Sequence, residues 1–462
     1  MSAGFRKRIL TGALYIVLAL ETGSLLLAEP QNGVSTISPS RQNYAGDEAC
    51  RPCHSEKALS YNKTAHHLTS QRPTQESILG SFADGKNILK TSNPNLYFQM
   101  GAKPDGFYQR AVSATPPSSA SRSERVEVVV GSGRRGQTYL YWKGDQLFQL
   151  PVSYWTALAT WINSPGYRDG EANFEKRVIP NCLGCHLSYA AAIGSPISSN
   201  QYTPESLVLG ISCERCHGPG RQHVEAATAK KLAAIINPAK LTRDRQIDVC
   251  AQCHGGLRTP MKDPFSYVPG ELLDKYFHPD DSGPAPTTDV HGNQVALLQL
   301  SRCYQFAPNM TCSTCHDVHQ TQRDPVVISE RCLTCHHAQA CGEFSKLKEN
   351  ILGNCANCHM PVQASNVIIS NLNGKQARAM VRNHWIRVYV DSRGAPLPAP
   401  ASGQTSSSAR TPPASPCPHS TPRPPFCLWL GALPGDRPRI PTGPKLLSPL
   451  DGILTLRAYS AN

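Results

Sequence analysis

Seven times in this chain two cysteines, two residues apart, are followed at once by a histidine. The pentads are Cys50-x-x-Cys53-His54, Cys182-x-x-Cys185-His186, Cys213-x-x-Cys216-His217, Cys250-x-x-Cys253-His254, Cys312-x-x-Cys315-His316, Cys332-x-x-Cys335-His336 and Cys355-x-x-Cys358-His359. Two thiols at that spacing can add to the two vinyl groups on one edge of a porphyrin. The adjacent imidazole then lies under the iron as its proximal ligand, which is the attachment pattern of a c-type haem. The pattern predicts seven covalently attached haems, with the fourteen cysteines as thioether anchors and the seven histidines as iron ligands.

Zinc ribbons and dithiol redox sites also use Cys-x-x-Cys. Neither needs histidine directly after the second thiol, yet every Cys-x-x-Cys here has it. From the chain's own Cys and His frequencies, roughly 0.02 such pentads are expected by chance. Four cysteines stand outside the pentads. Cys303 and Cys341 flank the last cluster, as a disulfide in an oxidising compartment or as two buried thiols; Cys417 and Cys427 lie near the C-terminus.

A chain of 462 residues with 40% hydrophobic and 7% aromatic residues, 34 Gly and 39 Pro is thinly supplied for a conventional core of its length. Large flat apolar cofactors would fill that role. The formal charge of +13 suggests nucleic acid only at first sight. The propionates of seven haems offset that excess, and no Lys/Arg run interleaved with aromatics marks a nucleic-acid surface.

Arg6-Lys7-Arg8 precedes the apolar run Ile9 to Leu20, and Leu25-Leu26-Leu27-Ala28 leads to Glu29-Pro30. This reads as a signal peptide over 1–28, with an uncleaved anchor, and so membrane association, as the alternative. Both place the chain outside the cytoplasm, in the periplasm or at the cell surface of a bacterium. Residues 29–45 read as a linker, 46–390 as the haem-bearing domain, and the Pro/Ser-rich 391–462 as a disordered tail. Within the domain, helical character is expected over Ser55 to Ser70, Ala226 to Ile236 and Leu347 to Leu352. Strands are expected over Arg125 to Val130, Thr138 to Trp142 and Gln146 to Leu150, inside a small antiparallel β insert at about 107–155.

Several blocks carry a family resemblance. Cys213-Glu-Arg-Cys216-His217-Gly-Pro-Gly220, Thr311-Cys312-Ser-Thr-Cys315-His316-Asp-Val-His319 and Cys355-Ala-Asn-Cys358-His359-Met-Pro361 resemble exported cytochrome c-552/554-type multihaem cytochromes. So does the middle block Val130-Gly-Ser-Gly133 … Gly136-Gln-Thr-Tyr-Leu-Tyr141 … Gln149-Leu-Pro-Val-Ser-Tyr154. The resemblance spans roughly residues 44–390. It implies a mainly α and irregular fold with haems as its core, distantly related to pentahaem nitrite reductases and octahaem hydroxylamine oxidoreductases. The Cys-x-x-Cys-Lys motif of the nitrite reductases is absent, and a proline-rich tail stands where relatives continue into helical repeats.

Of 16 histidines, nine are not proximal. A second imidazole on an iron makes a low-spin electron carrier. His223 and His319, each within six residues of a pentad, are the first candidates, each for the iron of a neighbouring haem. His291 and His384 follow, with one of His66 and His67, of which His67 is preferred. His278 and His337 are weaker, and His419 falls in the tail. This census favours an electron-transfer protein working with redox partner proteins or quinol-linked donors. The alternative is an enzyme acting on nitrite, hydroxylamine or a sulfur oxyanion at an open iron.

Overall fold

The computed structural model describes residues 39–113, 120–231, 235–279, 285 and 287–390. The expected signal peptide and the expected tail, with His419, Cys417 and Cys427, lie outside the described residues. Among those residues no helix is long and apolar enough to cross a membrane.

The architecture corrects the expectation of a mainly α fold. Helical residues make up 29% and strand residues 24%, so this is a mixed fold in which antiparallel sheet is a major component. The β region begins far ahead of residue 107. A seven-stranded sheet joins β1 (Ser70–Gln71), β6 (Val128–Val130), β7 (Gly136–Lys143), β8 (Gln146–Gln149) and β11 (Lys176–Arg177) in that spatial order, with β9 (Val152–Trp155) on β7 and β10 (Thr160–Asn163) on β9. A second sheet takes β2 (Ile88–Lys90), β3 (Leu96–Lys103), β4 (Gly106–Ser113) and β5 (Ala120–Arg125) in sequence order.

Alternation decides which face each residue serves. In β6, Val129 enters a core shared with the second sheet, where Phe98 and Met100 of β3 and Tyr139 and Tyr141 of β7 also lie. Val128 and Val130 point the other way, with Leu140 and Leu147, onto Leu183, Leu187, Tyr202 and Phe265. Leu183 belongs to the second pentad, so one face of the large sheet is the wall on which that Cys-x-x-Cys-His segment packs.

Helices are short. The stretch expected as helix over 55–70 is α-helical from Ser55 to Tyr61 with a single 3-10 turn at His67–Thr69. Of the helix expected over Ala226 to Ile236, residues 226–228 end a helix at Arg221–Thr228, and 232–234 lie outside the described residues. Residues 39–45, expected as linker, pack closely: Tyr44 is 1% exposed, and burial pushes its hydroxyl up to about 12. The sequence reading places no strands near the C-terminal end of the domain, yet a hairpin forms there from Val362–Leu372 and Lys375–Arg382; Ile368 and Ala379 join Trp155 and Ile162 in a small core. It returns the chain to Asn383 and His384 beside the fifth pentad.

Candidate haem-binding site

Three pentads lie wholly within a helix, Cys213–His217, Arg243–His254 and Cys355–His359, and three more begin in the last residues of one, Asp47–Cys50, Pro180–Leu183 and Pro325–Cys332. Short helices suit the motif, because one turn brings both thiols and the following imidazole to one side. Hydrogen bonds then lock these turns to distant segments. Glu214 is buried and its carboxylate accepts from the backbone amides of Ala45, Gly46 and Gly220 at 2.7, 2.9 and 2.7 Å. Arg215, also buried, donates to the carbonyl of Gly184 at 3.2 Å, tying the third pentad to the second.

The first five pentads open onto one continuous cavity of about 2920 Å³. An ordinary small-molecule pocket holds about 300–1,000 Å³, so the space suits several large groups side by side. Cysteines of different pentads meet there: Cys50 with Cys213, Cys185 with Cys253, and Cys250 with Cys312 lie within hydrogen-bonding contact. Among the described residues, no three of His, Cys, Asp and Glu converge as a bare metal ion would need. The thiols are set out along the cavity wall in pentads, an arrangement for thioethers and not for a zinc ribbon. Cys182 is held in a disulfide, and a thioether on that sulfur requires this bond to be open.

Histidines from different parts of the chain face each other across this space. His66 and His254 have ring centres 6.1 Å apart, His217 and His319 6.1 Å, and His316 and His384 6.4 Å. Two imidazoles bound axially to one metal at about 2.0–2.1 Å each, with each ring centre roughly 1.1 Å beyond its nitrogen, stand about 6.2 Å apart. The three separations match that span. His291 lies close enough to His186 for the two to repel when charged.

Burial, with repulsion from neighbouring histidines, takes His66, His186 and His384 down to about 4. Burial likewise takes His291 to about 4. All four are therefore neutral near pH 7, the form that ligates iron. The second ring nitrogen is held as well: Nδ1 of His217 meets the carbonyl of Ile236 at 2.8 Å, that of His254 the side-chain oxygen of Gln294 at 3.0 Å, and that of His359 the carbonyl of Arg387 at 2.9 Å. Nδ1 of His186 lies 2.9 Å from the hydroxyl of Thr69. Such partners fix the ring and leave Nε2 for the metal.

The structure separates the adjacent pair differently from the sequence reading. His66 lines the cavity opposite His254. His67, the preferred candidate, turns to Asp47 at 3.4 Å and packs edge-on against Tyr61. His223 and His278 line the same cavity. His336 and His337 are exposed, and His359 is half-buried away from the five-pentad cavity. Sequence reasoning passed over the residues that hold the rings, Thr69, Gln294 and the carbonyl of Ile236. Backbone carbonyls carry no sequence signal.

Cysteine pairs on a shared wall and imidazoles spaced for axial ligation define a multihaem cytochrome c, with covalently bound haem. A family model described as cytochrome c554 and c-prime matches residues 156–218. Multiheme cytochrome MtrA of Shewanella baltica (strain OS185) is 25% identical over 187 residues, 36% of this chain and 55% of that protein. The match thus spans about half the length of that relative. The crystal structure of Outer Cell Wall Cytochrome OcwA is similar with a TM-score of 0.47 at 17% identity, over 75% of this chain and 80% of that one.

Proposed function

We propose that this chain is an exported electron-transfer cytochrome with seven covalent haems, working with redox partner proteins or a quinol-linked donor in the periplasm or at the cell surface. The observation that carries the reading is the set of imidazole pairs at 6.1–6.4 Å, each joining a pentad histidine to one from elsewhere in the chain. In this reading His66 serves the iron of His254, His319 that of His217, His384 that of His316, and His291 that of His186. His223 serves a further iron of the same cavity. Irons with both axial positions filled reorganise little on reduction and suit carriers, not substrate sites.

His319→Ala is the test. It is expected to convert one haem to high spin in the ferric spectrum, leave the intact mass otherwise unchanged, and slow electron passage through the chain. A mutant with the full wild-type low-spin signal would reject the assignment.

A second reading has support in one place. Among the described residues no imidazole is seen to face His336 or His359 at the axial separation, which leaves room for an open iron acting on a small nitrogen or sulfur oxyanion. High-spin bands in the wild-type ferric spectrum that shift on adding nitrite or cyanide would favour that reading.

A further inference from the structure

The loop from β6 to β7 carries Arg134 and Arg135 to the wall of the five-pentad cavity, and among the described residues no carboxylate pairs with either. The turn is rigidly built. Gly131 and Gly133 have φ of +109° and +79°, a region that glycine enters freely and other residues rarely do. A Cβ on Gly131 would meet the carbonyl oxygen of Gly136 at 2.6 Å, and one on Gly133 the side chain of Leu79 at 2.4 Å. The amide of Gly131 donates to the carbonyl of Thr69, and the carbonyls of Gly133 and Arg135 accept from the hydroxyl and amide of Thr156. The sheet therefore holds this turn in place.

Both arginines line the cavity, together with Arg323 and Arg382. The four repel one another: Arg323 acts on Arg134, and Arg134 and Arg382 act on Arg135. Arg382 spends its guanidinium on the carbonyls of Ala356 and Met360 and the side chain of Asn357. No ion pair to a carboxylate joins Arg134, Arg135 or Arg323 among the described residues. Arg134, Arg135 and Arg323 are exposed, and each turns part of its side chain to the cavity wall. Like charges held together on one turn and its neighbours repel, an anion between them relieves that repulsion, and a guanidinium fork matches a carboxylate.

We infer that the Gly131–Gly136 turn is a carboxylate clamp, with Arg134, Arg135 and Arg323 binding propionates of the haems held near His291 and His316. The inference rests on the haem reading above. Arg134 lies close enough to His316, and Arg135 to His291, for their charges to be felt. Each of those histidines has an imidazole partner, so the irons there offer no coordination site for a free oxyanion. The β region would then act on the redox chain: fixed positive charge beside a haem favours its ferrous form and raises its potential.

The test uses the full haem-loaded protein with Arg134→Gln and Arg135→Gln together, and with Arg134→Lys and Arg135→Lys together. The wild-type haem count from intact mass checks the haem reading separately. With the count unchanged, the Gln variant is expected to show at least one haem midpoint shifted to lower potential, and the Lys variant to lie between it and wild type. Loss of haem from the Gln variant alone would likewise support a charge-based clamp. Unchanged potentials in the Gln variant, or equal haem loss from both variants, would overturn it. Added sulfate or nitrite distinguishes the source of the anion. A saturable change in wild-type potential that the Gln variant lacks would give the cluster to a free oxyanion and overturn the propionate assignment.

Discussion

His66 and His67 differ by one position and by everything in their surroundings. The helix expected to run through them ends at Tyr61, and a tight turn begins at His67. One ring is thereby sent into the cavity and the other to Asp47. His66→Ala should turn one haem high-spin, and His67→Ala should leave the ferric spectrum as in wild type; paired spectra check this. The pentads were legible because the chemistry fixes their spacing, whereas the facing partners depend on where a helix stops. A second residue-scale outcome concerns Lys176. Its ammonium donates to the carbonyl of Pro165 at 2.8 Å and lies 4.8 Å from the centre of the Tyr167 ring, and burial takes it down to about 7. An unfolded lysine titrates near 10.4. As pH falls from about 10 to 7, the unfolded chain therefore takes up the proton first and stability declines. Lys176→Met should melt higher than wild type at pH 7, by about 2–4 °C per kcal/mol relieved, with the difference closing toward pH 10. Melting curves at both pH values test the sign.

At the scale of elements, the β region was under-read for identifiable reasons. The strands at 125–130, 138–142 and 146–150 were visible in runs of Val, Tyr and Leu. β5, Ala-Ser-Arg-Ser-Glu-Arg, has no apolar alternation and is recruited by pairing with β4. β3 does alternate, with Leu96, Phe98 and Met100 inward, and its signal was passed over. The last hairpin had a local cue as well: Asn373-Gly374 both take positive φ, 50° and 73°, as a two-residue hairpin turn requires. Phe98 is fully buried between the sheets, so Phe98→Ala should cost about 3–5 kcal/mol, read from chemical denaturation. If the sheets fold around their own core, a pentad outside that core, such as the sixth, should still take up haem in that variant.

For the molecule as a whole, the expectation to check first is stoichiometry. Protein matured by a c-type assembly system should carry seven haems by intact mass and pyridine haemochrome, with Cys182 among the thioethers; a consistent count of five or fewer would reject the proposal. The five-pentad cavity has a further consequence for how the chain reaches its fold. Each facing pair joins segments far apart in sequence: His66 meets His254, His217 meets His319, and His316 meets His384. In the proposed ligation an iron between them would be a clasp on a long loop. Closing a long loop costs only slightly more entropy than closing a short one, so loop length alone does little to choose among competing imidazoles. In that reading His67, one residue from His66, is the nearest competitor. Maturation is therefore a sorting problem as well as an attachment problem. In that reading the Asp47–His67 contact would keep the neighbouring imidazole occupied while His66 meets its iron.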